Sequence, residues 1–427
     1  MRASVLVVLA ACSVPTSQFT GVGADAGSSD GAVVAPGMVK VTVVDQTGVN
    51  PVPNVPVVFS NPDGTMVAQA TSAIDGTAQA EVPGVVSVTA ISPVAATYRL
   101  VTELGVEPGD AIRLGQVTDD RTPVGTFTVM FPSVPGATGY EVTGPCGGVD
   151  VPTSPAVLTI TRDCMVPSME IVVIAIGGAQ GMNAFDKNNV PFTDGGSVDL
   201  TSSPTPVLAV DASYTNLPVE QTVSSIETSR YVPAQGVGPH SGCQSNDSVS
   251  GASLDASLIF CPQTTNALMI SLISSATHQG QLIQQAIAGD ATHYDVDASA
   301  SLLPWVARPT LDRTTRAFHV ALDPNGTTND APDLVEVELQ YTHSLNGTPT
   351  FFVWQAYMPT AADFVFPALP LADMLPTEAD TTQFEFVSLQ ELSGLTGYAP
   401  LRADVVGLFD AAQVSASRMR VSDSPDP

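Results

Sequence analysis

The stretch Gly48-Val49-Asn50-Pro51-Val52-Pro53-Asn54-Val55-Pro56-Val57-Val58-Phe59, with Asp63-Gly64 and Asp75-Gly76 behind it, decides the reading of the fold. Proline cannot donate to a β-ladder, so Pro51, Pro53 and Pro56 belong at sheet edges, which they protect from further pairing. Asp-Gly accepts positive φ and marks turns, and Asp75-Gly76 carries a strong hairpin signal. Working outward, Met38 to Asp45 is Val-rich and weakly alternating, and Val67 to Thr71, Thr77 to Val82 and Val85 to Ile91 are short β-prone runs. Short strands at this spacing, separated by turn residues, predict a sandwich over residues 38–115.

The pattern from Val41 to Thr89 resembles the bacterial immunoglobulin-like group 1 domain of invasin and intimin-type proteins. It is similar also to the carboxypeptidase regulatory-like (transthyretin-like) domain. Asp45, Gly48, Pro51 to Val57 and Asp75 to Ala78 carry both likenesses. Either one implies a β-sandwich, and specifies fold far better than function.

Residues 118–203 read as a second module, with strands at Thr126 to Phe131, Gly136 to Val142, Val157 to Thr161 and Ile171 to Ile176. Its Ala137-Thr138-Gly139-Tyr140-Glu141-Val142 turn and the later run into Gly177 resemble a fibronectin type III domain. It departs from that family in having Phe131 where Trp is usual, and in its cysteine pair. Residues 206–421 read as a larger β domain with strands at Ala256–Phe260, Ala267–Ile273, Arg316–Leu322, Leu334–Tyr341 and Phe351–Tyr357. Gln281 to Ile287 is expected as a short helix. Leu401 to Ala412 is expected as another, with Leu401, Val405, Leu408 and Phe409 on one face. Phe364 to Pro370 should be extended, and residues 422–427 form a disordered tail. The fold class is therefore mainly β: tandem immunoglobulin-like sandwiches, then a larger C-terminal β-sandwich domain with few short helices.

The chain opens with Met1 and Arg2, then an apolar run from Ala3 to Ala11 broken only by Ser4. One positive charge, a short apolar run and small residues before a cut site make a secretory signal over residues 1–11. Leu9-Ala10-Ala11-Cys12 resembles the lipobox of bacterial lipoproteins. That resemblance implies cleavage before Cys12 and a diacylglycerol on its sulfur. Ser13, not Asp, follows the cysteine, which in enteric bacteria resembles the outer-membrane sorting pattern. Residues 12–37 then form a flexible tether rich in Ser, Thr, Gly, Ala and Asp.

Charged residues make up 13% of the chain, and 42 acids against 14 bases leave a net charge of −28. Such a field repels nucleic acid, which is excluded as a partner, and anionic membrane surfaces, so attachment to a membrane must run through the N-terminal lipid. With Cys12 set aside, Cys146, Cys164, Cys243 and Cys261 remain. Four cysteines allow three connectivities, and the local pairs Cys146–Cys164 and Cys243–Cys261 each fall inside one proposed module. In an oxidising compartment each would add about 3 kcal/mol through loop closure.

No phosphate loop, HExxH or GxSxG appears in the sequence. His240, His278, His293, His319 and His343 all lie in the third region, and none stands at metal-ligand spacing from another. The one oxygen-rich loop, Asp323, Asn325, Asp330 and Asp333 around Gly326, is a weak calcium candidate without EF-hand spacing. Trp354, beside Phe351, Phe352 and Tyr357, is a weak candidate for stacking on sugars and otherwise a core residue. No catalytic residue, resident metal or cofactor is expected. The sequence thus points to a lipid-anchored protein of the bacterial cell envelope, with a structural, adhesive or interaction role toward another surface protein or a polysaccharide. The alternative is a carbohydrate-binding or glycan-processing protein acting through the C-terminal domain.

Overall fold

The computed structural model describes residues 34–45, 50–94, 97–115, 122–162, 168–177, 183–201, 205–206, 208–217, 221–230, 254–260, 266–275, 280–288, 291–322, 331–369, 374–377 and 380–424. The protein is mainly β, with its sheets packed as sandwiches.

The first region supplies β1 (Met38–Val44), β2 (Pro56–Ser60), β3 (Met66–Thr71), β4 (Thr77–Glu81), β5 (Val86–Val94), β6 (Thr97–Val106) and β7 (Ala111–Gly115). These strands divide between two sheets. One is β4-β1-β7, and β3, β2, β5 and β6 belong to the other. The turn at Asp75-Gly76 is therefore not the hairpin its sequence suggests. Asp75 accepts hydrogen bonds from the Thr77 amide at 3.0 Å and hydroxyl at 2.7 Å, Gly76 takes φ +74°, and the chain crosses from one sheet to the other. A Cβ at Gly76 would stand 2.5 Å from the Val43 carbonyl oxygen, so only glycine fits this crossing.

Residues 122–206 carry β8 (Pro123–Met130), β9 (Gly139–Gly144), β10 (Gly147–Val151), β11 (Ala156–Thr161), β12 (Ser168–Ile176), β13 (Asn183–Pro191), β14 (Gly196–Asp199) and β15 (Thr205–Pro206). A five-stranded sheet, β10-β9-β12-β13-β15, faces a three-stranded one, β11-β8-β14. Their core is self-contained, built around Phe127, Tyr140, Leu158, Ile171 and Phe185. The buried Tyr140 hydroxyl accepts the Val134 amide at 2.7 Å, which ties the loop before β9 to the core.

The remaining elements are β16 (Leu208–Thr215), β17 (Gln221–Arg230), β18 (Leu254–Phe260), β19 (Asn266–Ser275), β20 (Gly280–Ala288), β21 (His293–Asp297), α1 (Ala298–Ser301), β22 (Thr310–Asp312), β23 (Ala317–His319), β24 (Leu334–Leu345), β25 (Thr348–Met358), β26 (Phe364–Val365), β27 (Thr381–Leu392), α2 (Val405–Ser415) and β28 (Arg418–Asp423). They do not form a domain separate from the first region. An eleven-stranded sheet runs β17-β19-β20-β28-β27-β24-β25-β6-β5-β2-β3. The join is a parallel pairing of β25 with β6, from Phe351 opposite Thr97 to Tyr357 opposite Glu103. Residues 122–206 are thus inserted between two halves of one sheet.

Each face of that sheet carries a packed core. On one, Val57, Phe59, Val88, Val101, Leu334, Tyr357 and Leu392 pack with β1, β4, β7 and α2. On the other, Val58, Leu100, Leu339, Tyr341, Phe352 and Trp354 pack with Leu303, Phe318, Phe364 and Phe366. The helix expected near Leu401 is α2. Leu401, in the 3-10 turn before it, is buried with Val405 and Phe409 on the predicted face, and Leu408 is partly buried there. Asp404 caps it by accepting the Gly407 amide at 3.0 Å.

Two further expectations are corrected. Gln281 to Ile287 is strand β20, paired on one side with β19 and on the other with β28. Its polar positions mimic a helix's wet face, but the Gln281 side chain is buried, donating to the Leu303 carbonyl at 2.7 Å and accepting the Leu303 amide at 2.8 Å. The tail predicted from Ser422 is ordered as far as Ser424: β28 fills the gap between β20 and β27, and the Ser424 hydroxyl accepts the Val387 amide at 2.9 Å.

Candidate functional site

Of the residues singled out in the sequence, Cys12, Cys164, Cys243, Cys261, Asp323, Asn325, Asp330, His240 and His278 lie outside the described residues. Cys146 is disulfide-bonded, and its sulfur accepts the Thr161 amide at 3.4 Å. Among the described residues no group of three or more His, Cys, Asp or Glu side chains could hold a metal ion. No helix among them is long and apolar enough to cross a membrane, which says nothing of a β-barrel.

Asp333 is 4% exposed, and its two carboxylate oxygens accept the Leu392 amide at 2.9 Å and the Gly397 amide at 2.6 Å. Burial pushes its carboxyl up, and the two amides oppose the shift. It staples β24 to the end of β27 and the loop after it. Trp354 is fully buried, packs against Phe366 at 4.3 Å between ring centres, and donates from Nε1 to Thr102 Oγ1 at 2.8 Å. No face of its ring is available to a sugar. The other tryptophan, Trp305, is also buried.

The described histidines each face a carboxylate. His343 Nδ1 lies 2.8 Å from both Asp380 oxygens, His319 Nδ1 lies 2.9 Å from Asp363, and His293 Nε2 lies 2.9 Å from Asp295. The His343 pair is the sheltered one, at 13% and 9% side-chain exposure. Asp380 also accepts the Thr377 hydroxyl, and Arg313 donates to the Thr377 and Asp380 carbonyls at 2.9 and 2.8 Å. Burial raises the Asp380 carboxyl, and its hydrogen bonds from Thr377 and His343 outweigh that, leaving it below the usual range. This network fixes the start of β27 against β24.

Sequence reading missed the cluster at the seam of the first and last regions. Glu103 of β6 is completely buried, and Tyr398 donates its hydroxyl to Oε1 at 3.2 Å. Among the described residues Glu103 Oε2 has no hydrogen-bond partner. Burial pushes the carboxyl up to about 8, against the Tyr398 hydrogen bond. At the rim Arg402 reaches Glu107 at 3.1 Å and Asp110 at 3.6 Å, while Arg113 faces Asp404 at 3.8 Å and donates its amide to the Ala403 carbonyl at 2.9 Å. A lone Glu in a β-prone run carries no sequence signal for this, because its partners lie hundreds of residues away.

A second feature is a polar row on the central strands. Glu336, Glu338 and Gln340 alternate along β24, and Gln355 of β25 and Gln390 of β27 lie across from it. Gln390 donates to Glu336 at 3.1 Å, Gln355 reaches Glu336 and Glu338 at 3.4 Å, and Gln340 donates to Glu338. Half-buried carboxylates and amides in one row can exchange hydrogen bonds with hydroxyl groups.

No family model matches this chain, and no curated protein matches it. Among solved structures, the Bacillus anthracis TIE protein aligns over 61% of this chain and 49% of its own, at 11% identity and a TM-score of 0.15. The aligned part thus spans about half of that protein's length. The shaft pilin spaA from Lactobacillus rhamnosus GG aligns over 61% of this chain and 96% of its own, at 8% identity and a TM-score of 0.15. Likeness at this level defines neither family nor function.

Proposed function

We propose that this chain is a lipoprotein of the bacterial cell envelope, held by lipid on Cys12, with a structural or adhesive role and no catalysis. The tether of residues 12–37 lifts a stiff β body off the membrane, of the outer membrane by the Ser13 pattern, and the body meets another surface protein or a polysaccharide. The observation that carries the role is that, among the described residues, four sheltered polar groups serve as internal ties: Trp354 to Thr102, Asp333 to two amides, Glu103 to Tyr398 and His343 to Asp380. Two of them, Trp354 to Thr102 and Glu103 to Tyr398, join the first and last regions across more than 250 residues, which suits a stiff body better than a reacting centre. The Cys146–Cys164 and Cys243–Cys261 disulfides belong to the same export reading.

Intact mass and detergent partitioning of the protein made in a bacterial host, beside Cys12→Ala, tests the anchor. A lipid mass on Cys12 and partition into detergent, both lost in the variant, is the expected result. A full-length soluble chain with free thiols overturns it.

A second reading, glycan binding, is favoured by the polar row on β24, β25 and β27. A glycan array hit that disappears in both Gln355→Ala and Glu338→Gln would establish it against the first.

A further inference from the structure

We propose that β3 is a docking edge that accepts one extended peptide strand, neutral in its centre and cationic at both ends. β3 ends the eleven-stranded sheet. Its register with β2 sets Val57 opposite Ala70 and Phe59 opposite Ala68, and just beyond it the Ser72 amide donates to the Val55 carbonyl at 2.9 Å. Backbone groups of alternate residues point to opposite sides of a strand. The N–H and C=O of Gln69 and Thr71 therefore point away from β2, and no strand pairs with them among the described residues.

Natural edges are blunted by charge, proline or bulges. Met66-Val67-Ala68-Gln69-Ala70-Thr71 contains neither charge nor proline, and its one irregularity lies at the Met66 end. The opposite edge of the same sheet, β17, carries Glu227 and Arg230.

The edge is also held rigid. Asp63-Gly64-Thr65 and Asp75-Gly76-Thr77 bracket it with the same turn, in which the Asp accepts both the amide and the hydroxyl of the Thr two residues on. Gly64 and Gly76 take φ +78° and +74°. A preformed edge forfeits little freedom when a strand is added.

Charge selects the partner. Both bracketing aspartates are exposed, and their hydrogen bonds from Thr65 and Thr77 hold them below the usual carboxylate range. Arg316 beside Asp63 and Lys40 beside Asp75 are the weakest influences on them. An antiparallel second copy centred on Gln69 would set Asp63 against Asp75, on a chain of net charge −28. A partner strand with Lys or Arg at its ends meets opposite charge at both. Side chains of the added strand alternate between Ala68 and Ala70, partly buried against the core, and the exposed Gln69 and Thr71, so the partner alternates apolar and polar residues.

The inference rests on the interaction role proposed above and not on the anchor: it is read in the purified full chain whether or not Cys12 carries lipid. The probe is a nine-residue peptide of alternating valine and threonine with a lysine at each end. Its affinity is measured by calorimetry, and amide exchange of β3 by NMR. Expected results are fast exchange of the Gln69 and Thr71 amides without peptide, and protection of those two with it. N-methylation of the peptide amides on one edge should abolish binding, while N-methylation on the other edge leaves it intact. Glutamate ends in place of lysine should weaken binding by at least about fivefold, an effect that fades in high salt. Gln69→Pro, which removes an outward donor and breaks no bond to β2, should weaken it about tenfold or more. Equal binding by the two N-methylated peptides, or no protection at Gln69 and Thr71, overturns the docking edge. A dimer seen by sedimentation without peptide and lost in Gln69→Pro overturns the partner in favour of a second copy.

Discussion

Replacing Glu103 by Gln should make the protein more stable on the alkaline side and leave it nearly unchanged in acid. Glu103 lies fully buried in β6 with one oxygen on the Tyr398 hydroxyl and the other without a hydrogen bond among the described residues. Burial dominates its ionisation. Asp110 and Asp404 push in the same direction, and the Tyr398 hydrogen bond and Arg402 oppose. The carboxyl therefore titrates near 8 in the folded protein against 4.5 when free. A raised folded value means that the folded state holds the proton more tightly. Its stabilising share is complete below about pH 4.5 and is withdrawn as pH rises toward 8. At about 1.4 kcal/mol per pH unit across that window, the loss approaches ~5 kcal/mol by pH 9. Glutamine keeps the shape of the neutral acid and has no proton to lose. Other carboxylates titrate in the opposite sense, Asp63, Asp75, Asp297 and Asp312 among them, all lowered by hydrogen bonds. Their share is complete above the free value of 3.8 and is lost only in acid, so the quantity to measure is the difference between wild type and Glu103→Gln in urea unfolding at each pH from 5 to 9, above that window. The difference should be within about 1 kcal/mol at pH 5 and grow to several kcal/mol in favour of the variant by pH 9. Tyr398→Phe removes a bond that favours the ionised acid, so the loss should still begin near pH 4.5 but continue to higher pH and grow larger. A flat difference curve, or a wild type that gains on the variant as pH rises, would refute a buried neutral Glu103.

Trp354→Phe removes the bond to Thr102 inside a packed core and should lower stability by about 1–3 kcal/mol in urea unfolding, with no change in any glycan array profile. Asp333→Ala strands one buried and one partly buried amide and should lower stability by roughly 2–4 kcal/mol, while calcium and chelator leave the wild-type melting temperature equal. A calcium shift abolished by Asp330→Ala would reverse that last expectation. Tyr140→Phe should weaken only the inserted module, by about 1–2 kcal/mol, visible as a shift of one unfolding transition while the other stays in place.

The strands of this protein were largely legible because their signals are local. Met38 to Asp45, Val157 to Thr161, Ile171 to Ile176 and Leu334 to Tyr341 appear close to where alternation and turn residues put them. The failures share one cause: tertiary partners that sequence does not display. Gln281 to Ile287 has helix-like polar spacing, yet Gln281 and Gln284 are buried polar residues of a central strand. Ser422 and Ser424 look like a polar tail, yet both are fully buried beside β27. The first and last regions read as separate domains because the chain between Thr97–Val106 and Thr348–Met358 holds a whole module. Parallel pairing needs a long crossover, and nothing in either strand advertises its mate. The Glu103 cluster was hidden for the same reason, since Tyr398 and Arg402 come from the far end of the chain.

The seam also decides how an anchored body would carry load. If residues 12–37 are the tether proposed above, a pull on it would enter at Met38 and act along β1, the middle strand of β4-β1-β7. β1 runs parallel to β7 from Lys40 opposite Ala111 to Val44 opposite Gly115, so a pull along its axis strains that ladder in shear, all bonds together. β7 passes the load on: the Arg113 amide bonds the Ala403 carbonyl at 2.9 Å, and its guanidinium faces Asp404, the residue that caps α2. α2 in turn packs through Val405 and Phe409 into the core that β1, β7 and the large sheet share. The chain's start is thereby bound to its last hundred residues, and the inserted module hangs outside this path between β7 and β16. A body divided as its sequence suggests would instead have passed the same pull through each linker in turn. The closed seam is thus the path along which the proposed anchor would load the body.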